Sequence, residues 1–575
     1  RIMKRALTFL TGIYLLISPY TSSFAQANYY VAPDGDDLNT GLTDTQAFST
    51  ITHAATIAMH GDTIWVLPGI YTNSTYQAGL DIWKNERTVD INNKTTTTAN
   101  YLTIKPQTPN SVTLKGDGSF VFQIRNSNYI RIEGFQIVGE ADNIPMSLAM
   151  QYQFTYKDST GAILERIPPG TDVDDYGSLD LQVLKKISRP SYFNTSGISV
   201  NSSHHIEIVN NAVSKMPGEG IRSFKSDFLT IIRNTVSFCS GRSSTGVHGL
   251  SVYTLDSEID PDNANFEGQR VLIAQNKVFQ NFNELISWSE KKNTINAHID
   301  EGKGITIQRC TEDYDWHKGI IRIENNIAYR NGFSGIQINS GTRVEILHNT
   351  CYENNYTSAI EGVGDQHGIS VQDGNTILIA NNIVQSDSTI SNGKALKISN
   401  NSGQEGSIVV SDNLILGKMN GKAAGFAIQT QTFDPMFADT AGRDFTLLSG
   451  SPAIDAANPI YSVSHDFGSN ARDGLPDFGA IEFIPATSIE TLNSFSTNVF
   501  PNPARDVLHF TLETLREVEI EYALLSLEGR LLIPPVSGSS KQTHILDLST
   551  ISNGMYILHI LAGPSGIVRR IVVQR

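Results

Sequence analysis

Cysteine and tryptophan are scarce in this chain of 575 residues, which has 3 cysteines and 4 tryptophans. An odd number of cysteines cannot pair completely, and Cys239, Cys310 and Cys351 lack the close spacing of a zinc site. We therefore expect three buried thiols that act as small apolar residues. Basic residues are also fewer than acidic ones, so the net charge is −15. This negative charge argues against nucleic acid as a partner.

Long apolar runs are missing beyond the N-terminus. The run "ALTFLTGIYLLIS" follows Lys4 and Arg5 and leads to the small-residue site "SFA", which ends at Ala25. Such a run is too short to span a bilayer comfortably, and its flanks are those of a secretory signal. The sequence predicts a signal peptide over residues 1–25 and an exported, soluble mature protein.

What the chain has in abundance is a repeat built from two short patterns. The first reads apolar-x-apolar-x-x-Asn, and its asparagines are Asn211, Asn234, Asn276, Asn326, Asn349, Asn382 and Asn413. The second reads x-Gly-apolar-x-apolar, and its glycines are Gly197, Gly220, Gly249, Gly304, Gly335 and Gly368. Successive glycines lie 23, 29, 55, 31 and 33 residues apart. The long step contains two insertions, residues 254–269 and 283–302.

The alternation of apolar residues predicts strands, and short strands repeated at this period predict a parallel β-solenoid. Alternate Ile and Val side chains point inward and stack on their equivalents one coil away. The asparagines are expected to form a structural ladder at a bend, where Asn tolerates the left-handed backbone.

These patterns, "GI-x-V" and "I-x-I-x-NN", resemble the right-handed parallel β-helix of the pectate lyase superfamily. The segment "YYVAPDGDDLNTGLTDTQAFSTITHAATIAMHGDTIWVLPGIY" is similar to the N-terminal capping coil of that group, and "SPAIDAANP" with "DFGSNARDGLPDFGAIEF" is similar to its last coil. The resemblance implies an all-β fold, a β-helix over residues 28–485. An insertion at 143–195 is expected to fold over the N-terminal end of the groove.

The repeat pattern is replaced by a different strand pattern after a linker over residues 486–496. The elements "VFPNPARDVLHF", "NGMYILHI" and the basic ending "IVRRIVVQR" predict a small antiparallel β-sandwich over residues 497–575. They resemble the C-terminal sorting domain of the Bacteroidota type IX secretion pathway. That resemblance implies the type IX machinery as a partner and a secreted or cell-surface location. A carbohydrate-binding β-sandwich is the alternative.

In the resembled fold, the "GI-x-V" strand and the loops before it build the substrate cleft. The residues before each glycine are Ser196, Glu219, His248, Lys303, Ser334 and His367. We expect them to form one outward column, with the glycines also facing outward as a bare floor. A sugar polymer could lie along such a column, because each coil advances by roughly 4.8 Å.

This column suggests glycoside hydrolysis, which needs two carboxyl groups about 5–10 Å apart. Glu219 would pair with Asp300 or Glu301, which lie in the turn "DEGKGITI". Lys303 would keep one carboxylate ionised, and His248 lies between. The predicted activity is an endo-acting glycoside hydrolase, a secreted enzyme that cleaves an acidic or sulfated extracellular polysaccharide.

Two other functions stay open. A polysaccharide lyase would act on a uronic acid polymer such as pectate or alginate, with Lys303 as base and Arg222, Lys225 or Arg309 assisting. Ca²⁺ is a candidate cofactor for that reaction, held by Glu219, Asp300 and Glu301, and the acidic stretch 260–268 is a weaker calcium candidate. A non-catalytic glycan-binding solenoid or adhesin is the third function.

The remaining candidates are substrate-binding residues. Arg222, Lys225 and His367 are expected to line subsites, and the aromatic rings of Trp288 and Trp316 are expected to stack on sugars. The protein is expected to act as a monomer.

Overall fold

A computed structural model describes the protein at residues 26–77, 86–151, 156–157, 163–164, 191–243, 245–285, 301–316, 318–354, 366–386, 393–399, 407–484, 496–513, 519–526, 530–562 and 565–575. The chain divides into two compact units, Arg1–Phe483 and Ile484–Arg575. The predicted signal peptide over 1–25 lies outside the described residues. In the described part of the chain, the structure contains no helix that is long and apolar enough to cross a membrane.

The first unit is built from short strands. In chain order they are β1 (Asn28–Val31), β2 (Thr63–Val66), β3 (Gly69–Tyr71), β4 (Arg87–Asn92), β5 (Leu102–Pro106), β6 (Val112–Leu114), β7 (Phe120–Arg125), β8 (Asn128–Glu133), β9 (Gln136–Val138), β10 (Tyr156–Lys157), β11 (Ile163–Leu164), β12 (Ser196–Asn201), β13 (His204–Val209), β14 (Ala212–Ser214), β15 (Ile221–Phe224), β16 (Asp227–Ile232), β17 (Thr235–Ser237), β18 (Leu250–Tyr253), β19 (Gln269–Ala274), β20 (Lys277–Phe279), β21 (Ile305–Cys310), β22 (Ile320–Glu324), β23 (Ile327–Tyr329), β24 (Ser334–Leu347), β25 (Thr350–Tyr352), β26 (Gln366–Ala380), β27 (Ile383–Gln385), β28 (Gly393–Ile398), β29 (Ile408–Ser411), β30 (Leu414–Leu416), β31 (Ala427–Ile428), β32 (Phe437–Asp439) and β33 (Asp444–Leu447).

Helices are few and short in the described part of this unit. They are α1 (Ile51–Ile57), α2 (Met146–Gln151) and α3 (Gly421–Phe426). The 3₁₀ turns are Asp44–Gln46, Ala141–Asn143, Ser191–Asn194, Pro261–Asn263, Glu312–Tyr314 and Pro459–Tyr461.

Each coil passes through three faces in turn. In the coil of β12, the chain runs through β12, β13 and β14, and each strand pairs in parallel with its equivalent in the next coil, β15, β16 and β17. The first and second faces belong to one large sheet, and the third face is a separate sheet of three-residue strands. In β24 and β26 a single continuous strand covers both of the first two faces. The predicted parallel β-helix is confirmed.

The core follows from the alternation of apolar residues. Ile198, Ile221, Leu250, Ile305 and Ile336 are register partners in successive coils, and all five are fully buried. Each such side chain contributes roughly 1.5–3 kcal/mol on burial. The three cysteines are buried and free, as expected from the sequence.

The asparagine ladder runs along the bend after the second face. In this ladder the side-chain amide of each asparagine donates to the Oδ1 of the asparagine in the next coil, at 2.9–3.1 Å. The members in order are Asn211, Asn234, Asn276, Asn326, Asn349, Asn382 and Asn413. The left-handed backbone falls one residue earlier than predicted. Asn325 has a φ of 53° and His348 a φ of 51°, so the residue before each ladder asparagine makes the turn.

Asn326→Ala is expected to destabilise the β-helix by roughly 2–4 kcal/mol, because it leaves several buried polar groups without partners. These include the carbonyl of Ile273, which accepts at 2.8 Å, and the backbone N–H of Asn276, which donates at 2.9 Å. Thermal or urea unfolding followed by circular dichroism measures the effect. The exposed Asn265→Ala is the control and should change stability by less than about 0.5 kcal/mol. Equal unfolding midpoints for the two variants would contradict a stabilising ladder.

The glycines of the repeat face the interior, which corrects the prediction that they form an outward floor. A Cβ atom on Gly304 would lie 2.6 Å from the side-chain amide of Asn331 and 2.6 Å from the carbonyl of Gly335. Asn331 belongs to a second ladder, since it accepts from Asn281 and donates to Asn354 at 2.9 and 2.8 Å. The chain bends between the glycine and the next residue, so the simple alternation does not hold there.

The second unit is antiparallel. Its strands are β34 (Ser496–Phe500), β35 (Val507–Glu513), β36 (Glu519–Ser526), β37 (Leu531–Ser539), β38 (His544–Asp547), β39 (Gly554–Ala562) and β40 (Ser565–Val573). They form two sheets, β34-β35-β38 and β37-β36-β39-β40. Phe510 from the first sheet and Leu524 and Leu558 from the second share one buried core, as a small β-sandwich requires.

Candidate active site

The residues before the repeat glycines form one column along the first face. The backbone N–H of Gly220 donates to the carbonyl of His248, and that of Gly249 donates to the carbonyl of Lys303. These bonds place Glu219, His248 and Lys303 in three successive coils. All three residues are at most 4 % exposed, so the column carries titratable groups that are largely removed from water.

Glu219 is held by the outward side chains of the next coil. Its Oε1 accepts from the hydroxyl of Ser251 at 2.7 Å and from the phenol of Tyr253 at 2.9 Å. Its Oε2 lies 3.3 Å from Nε of Arg222. Ser251 and Tyr253 are alternate residues of β18, so both reach the same side of the sheet.

Burial sets the protonation of this carboxyl. Removal from water raises the pKa of Glu219 above its ordinary value of 4.5, while the Arg222 guanidinium and the two hydroxyl donors act in the opposite direction. Burial also raises the pKa of Tyr253, and the neighbouring charges of Glu219 and Glu301 add to that effect. Glu219 is therefore the carboxyl of this site that is biased toward its protonated form.

Glu301 is the second carboxyl group, and it reaches back toward the preceding coil. Its Oε2 forms an ion pair with Nζ of Lys303 and lies 3.6 Å from Nε2 of His248. The Lys303 ammonium also lies 5.0 Å from the centre of the Phe333 ring. Lys303 thus holds Glu301 in place from two residues further along the same coil.

His248 and Tyr253 lie between the two carboxyl groups. Their rings are stacked with centroids 6.2 Å apart, and Nε2 of His248 is 2.9 Å from the side-chain amide of Gln308. Burial, and next the positive charge of Lys303, lower the pKa of His248 well below 6.5. The imidazole is therefore neutral at neutral pH.

These groups open into one cavity of about 390 Å³. Its lining residues are Asn194, Glu219, Arg222, Phe224, Thr245, Gly246, Val247, His248, Tyr253, Thr254, Glu301, Gln308 and Arg309. The volume lies in the range of small-ligand sites in proteins. A larger cavity of about 780 Å³ lies over the second face, but its charged groups, such as Lys318 and Arg343, form ion pairs with exposed partners. The smaller cavity is the candidate site because buried carboxyl and imidazole groups line it.

The structure brings together only part of the predicted set. Arg222 and Arg309 line the cavity with Glu219, His248 and Glu301, whereas Lys303 contacts the site through Glu301. Lys225 is exposed outside the cavity lining, with its Nζ 6.0 Å from the Phe224 ring centre. Asp300 and Trp288 lie outside the described residues.

Two predicted binding residues point elsewhere. Trp316 corrects the expectation of a sugar platform, because its ring is fully buried in the β-helix core and its Nε1 donates to the carbonyl of Thr342 at 3.2 Å. His367 is two coils beyond Lys303, is buried, and packs edge-on against Phe333 with ring centroids 5.2 Å apart. It does not line the cavity.

The lining or supporting residues that the sequence did not indicate include Asn194, Ser251, Tyr253 and Gln308. Ser251 and Tyr253 are three and five residues after His248, at the outward positions of the following strand. Reading every outward position of each strand, instead of the residue before the glycine alone, would have found them. Asn194 enters from the end of the 143–195 insertion, where its Oδ1 accepts from the hydroxyl of Thr245 at 2.8 Å. Most of that insertion lies outside the described residues.

Arg222→Gln is expected to raise the pKa of Glu219 further, because it removes the cation that favours the ionised carboxylate. If Glu219 acts as an acid, activity falls as pH rises through its pKa, so the alkaline limb of the kcat/KM profile should move to higher pH. The exposed Arg233→Gln, with the same loss of charge at another corner, is the control. An alkaline limb that stays in place would separate Glu219 from the observed titration.

A comparison with protein families identifies the C-terminal domain. Residues 498–574 match the model described as "Secretion system C-terminal sorting domain". The chain carries a type IX secretion tail. This domain indicates a secreted or cell-surface protein, and it implies the type IX secretion machinery as a partner.

The β-helix has more distant similarities. Residues 291–466, which include Glu301 and Lys303, match a model described as "Disaggregatase related". No curated protein matches the chain. Among solved structures, the chain is similar to pectate lyase Pel9A, at 15 % identity and a TM-score of 0.42, over 80 % of this chain and 98 % of that one.

Two further solved structures share the likeness. An alginate lyase from Paenibacillus sp. is 12 % identical with a TM-score of 0.31, over 66 % of this chain and 95 % of that one. The Dettilon tailspike protein is 12 % identical with a TM-score of 0.35, over 95 % and 91 %. The fold assignment itself rests on the parallel register of the strands.

Proposed function

We propose that the protein is a secreted, endo-acting glycoside hydrolase that cleaves an acidic polysaccharide at the cavity between Glu219 and Glu301. The observation that carries this proposal is a pair of carboxyl groups in one cavity with opposite electrostatic surroundings. Glu219 is buried and biased toward the protonated form, and Glu301 is ion-paired with Lys303. Environments that separate two carboxyl groups in this way are typical of acid and base assignments in glycosidases.

In this mechanism Glu219 donates its proton to the glycosidic oxygen as the bond to the anomeric carbon breaks. Glu301, which is ion-paired with Lys303, attacks the anomeric carbon as a carboxylate or takes a proton from the attacking water. The hydroxyls of Ser251 and Tyr253 stabilise the carboxylate that Glu219 becomes, because both already donate to its Oε1. His248 contacts Glu301 from the intermediate coil, and Gln308 in turn holds the imidazole of His248.

The two arginines of the cavity favour an acidic polymer as the substrate. Arg222 and Arg309 line the cavity from coils two steps apart. A guanidinium binds carboxylate or sulfate groups with two parallel hydrogen bonds. An extended chain that crosses these coils would meet both cations. The repeat distance of the coils, about 4.8 Å, suits a ligand of repeating units more than a small metabolite.

β-Elimination on a uronic acid polymer is the second candidate, and a specific observation favours it. His248 is neutral at neutral pH and lines the cavity with two arginines that could neutralise a substrate carboxylate. A neutral imidazole can remove the proton beside that carboxylate, and Tyr253 could protonate the leaving oxygen. Lys303 is the weaker base candidate, because its amine is engaged by Glu301.

One assay separates these functions from a glycan-binding protein without activity. The protein is incubated with pectate, alginate and sulfated algal polysaccharides, and both new reducing ends and the ultraviolet absorbance of unsaturated products are followed. Hydrolysis yields reducing ends alone, whereas elimination yields both signals. Binding with neither product would contradict the proposal and favour an adhesin. Repeating the assay with EDTA tests the calcium hypothesis.

A further inference from the structure

A second cluster of polar side chains lies at the corner between the first and second faces, away from the candidate active site. His204 and His205 follow β12, and Asp260 lies in the insertion over residues 254–269. The Nδ1 atoms of the two histidines are 2.9 Å apart, and each lies 3.5 Å from Oδ2 of Asp260. Three potential ligand atoms from two distant segments therefore converge on one point.

We propose that His204, His205 and Asp260 form a binding site for a divalent transition-metal ion of the Zn²⁺ class. A tetrahedral zinc ion has bonds of about 2.0–2.1 Å, so its ligand atoms lie roughly 3.3 Å from one another. The three measured separations, 2.9, 3.5 and 3.5 Å, scatter around that value. Two imidazoles and one carboxylate also favour zinc over calcium, which prefers oxygen ligands.

The metal-free cluster has its own hydrogen bonds, which the ion would replace. One Nδ1–H donates to the other Nδ1 at 2.9 Å, and Oδ2 of Asp260 accepts from the side-chain amide of Asn263 at 2.9 Å. When the shared proton leaves, two nitrogen lone pairs and a carboxylate oxygen face one point, and a cation there contacts all three acceptors at once.

The surroundings fix the two rings. His205 is stacked between Tyr129 and Phe228, with ring centroids 4.4 Å away on both sides. Nε2 of His204 lies 3.3 Å from the side-chain nitrogen of Asn128, a long contact that loosens at little cost when the ring binds metal through Nδ1.

The ion would fasten an insertion to the coil stack. Asp260 follows β18, the strand that carries Tyr253, whereas the histidines belong to a coil two steps earlier. The side chains of His204 and His205 are 16 % and 18 % exposed, which leaves one side of the site open to a water or an exchanging ion. We expect the metal to stabilise the 254–269 loop and not to enter the reaction at Glu219.

Zinc content tests the site directly. The full chain, produced without a polyhistidine tag, is incubated with Zn²⁺, desalted and analysed by mass spectrometry for metals. Wild type should retain about one zinc per chain, as a site with three protein ligands predicts. Asp260→Asn and His204→Gln should lose it. Asp262→Asn is the matched control, because it removes the same charge from the same short 3₁₀ turn outside the cluster.

Spectroscopy and thermal unfolding give two further readouts. Co²⁺ added to wild type should produce the visible absorption bands of a four-coordinate ion, and Zn²⁺ should abolish them. The unfolding temperature of wild type and of Asp262→Asn should rise with Zn²⁺, and that of Asp260→Asn should not. The proposal is overturned if wild type retains no zinc, if Asp260→Asn and Asp262→Asn retain equal amounts, or if Co²⁺ produces no such bands.

Discussion

Glu219→Gln lowers kcat on a cleaved polysaccharide by roughly 10²–10⁴-fold, the usual contribution of a general acid. The amide keeps the shape of the side chain and an oxygen that accepts from Ser251 and Tyr253, but it has no proton to give to the glycosidic oxygen. KM should change little, because Arg222 and Arg309 are untouched. Initial rates of reducing-end release measure both constants.

The control for this substitution is Glu267→Gln, which removes the same charge from an exposed side chain away from the cavity. It should retain wild-type kcat. Circular dichroism and the unfolding temperature confirm that both variants are folded. A Glu219→Gln variant that keeps wild-type kcat would remove Glu219 from the mechanism.

Glu301→Gln is expected to lose activity to a similar extent and to lose stability as well. The substitution leaves the Lys303 ammonium, which is 5 % exposed, without its carboxylate partner. Leaving the Lys303 charge unpaired lowers the free energy of unfolding by roughly 2–4 kcal/mol. The cost is somewhat smaller than for a fully buried ion pair, because Glu301 is partly exposed to solvent. We therefore expect a lower unfolding midpoint and a kcat reduced by about 10²–10⁴-fold.

The double variant Glu301→Gln/Lys303→Met separates the two effects. Methionine removes the uncompensated charge and fills a similar volume beside Phe333, so stability should return toward that of wild type. Activity should stay low, because no carboxylate is restored. Recovery of activity together with stability would show that Glu301 acts only through folding and not on the substrate.

The repeat pattern of the β-helix could be predicted from the sequence because it depends on local periodicity. The asparagine column and the column from Glu219 to Lys303 each recur once per coil, so aligning the repeats also aligned them in space. The type IX tail was readable for a different reason, since its elements occur in a fixed order near the chain end.

Other features depend on contacts that no periodicity encodes. The inward direction of Gly304 follows from a bend that interrupts the alternation, and the burial of Trp316 follows from the path of the loop that carries it. Glu301 meets His248 because its side chain extends toward the preceding coil. The cluster of His204 and Asp260 joins segments more than fifty residues apart, and only folding reveals it.

A crystal structure of Glu219→Gln with an oligosaccharide that the wild-type protein cleaves would show where the reaction takes place. We predict a glycosidic oxygen within hydrogen-bond distance of residue 219, an anomeric carbon facing Glu301, and an acidic group of the sugar at Arg222 or Arg309. A sugar chain bound over the second face, near Lys318 and Arg343, would contradict this prediction.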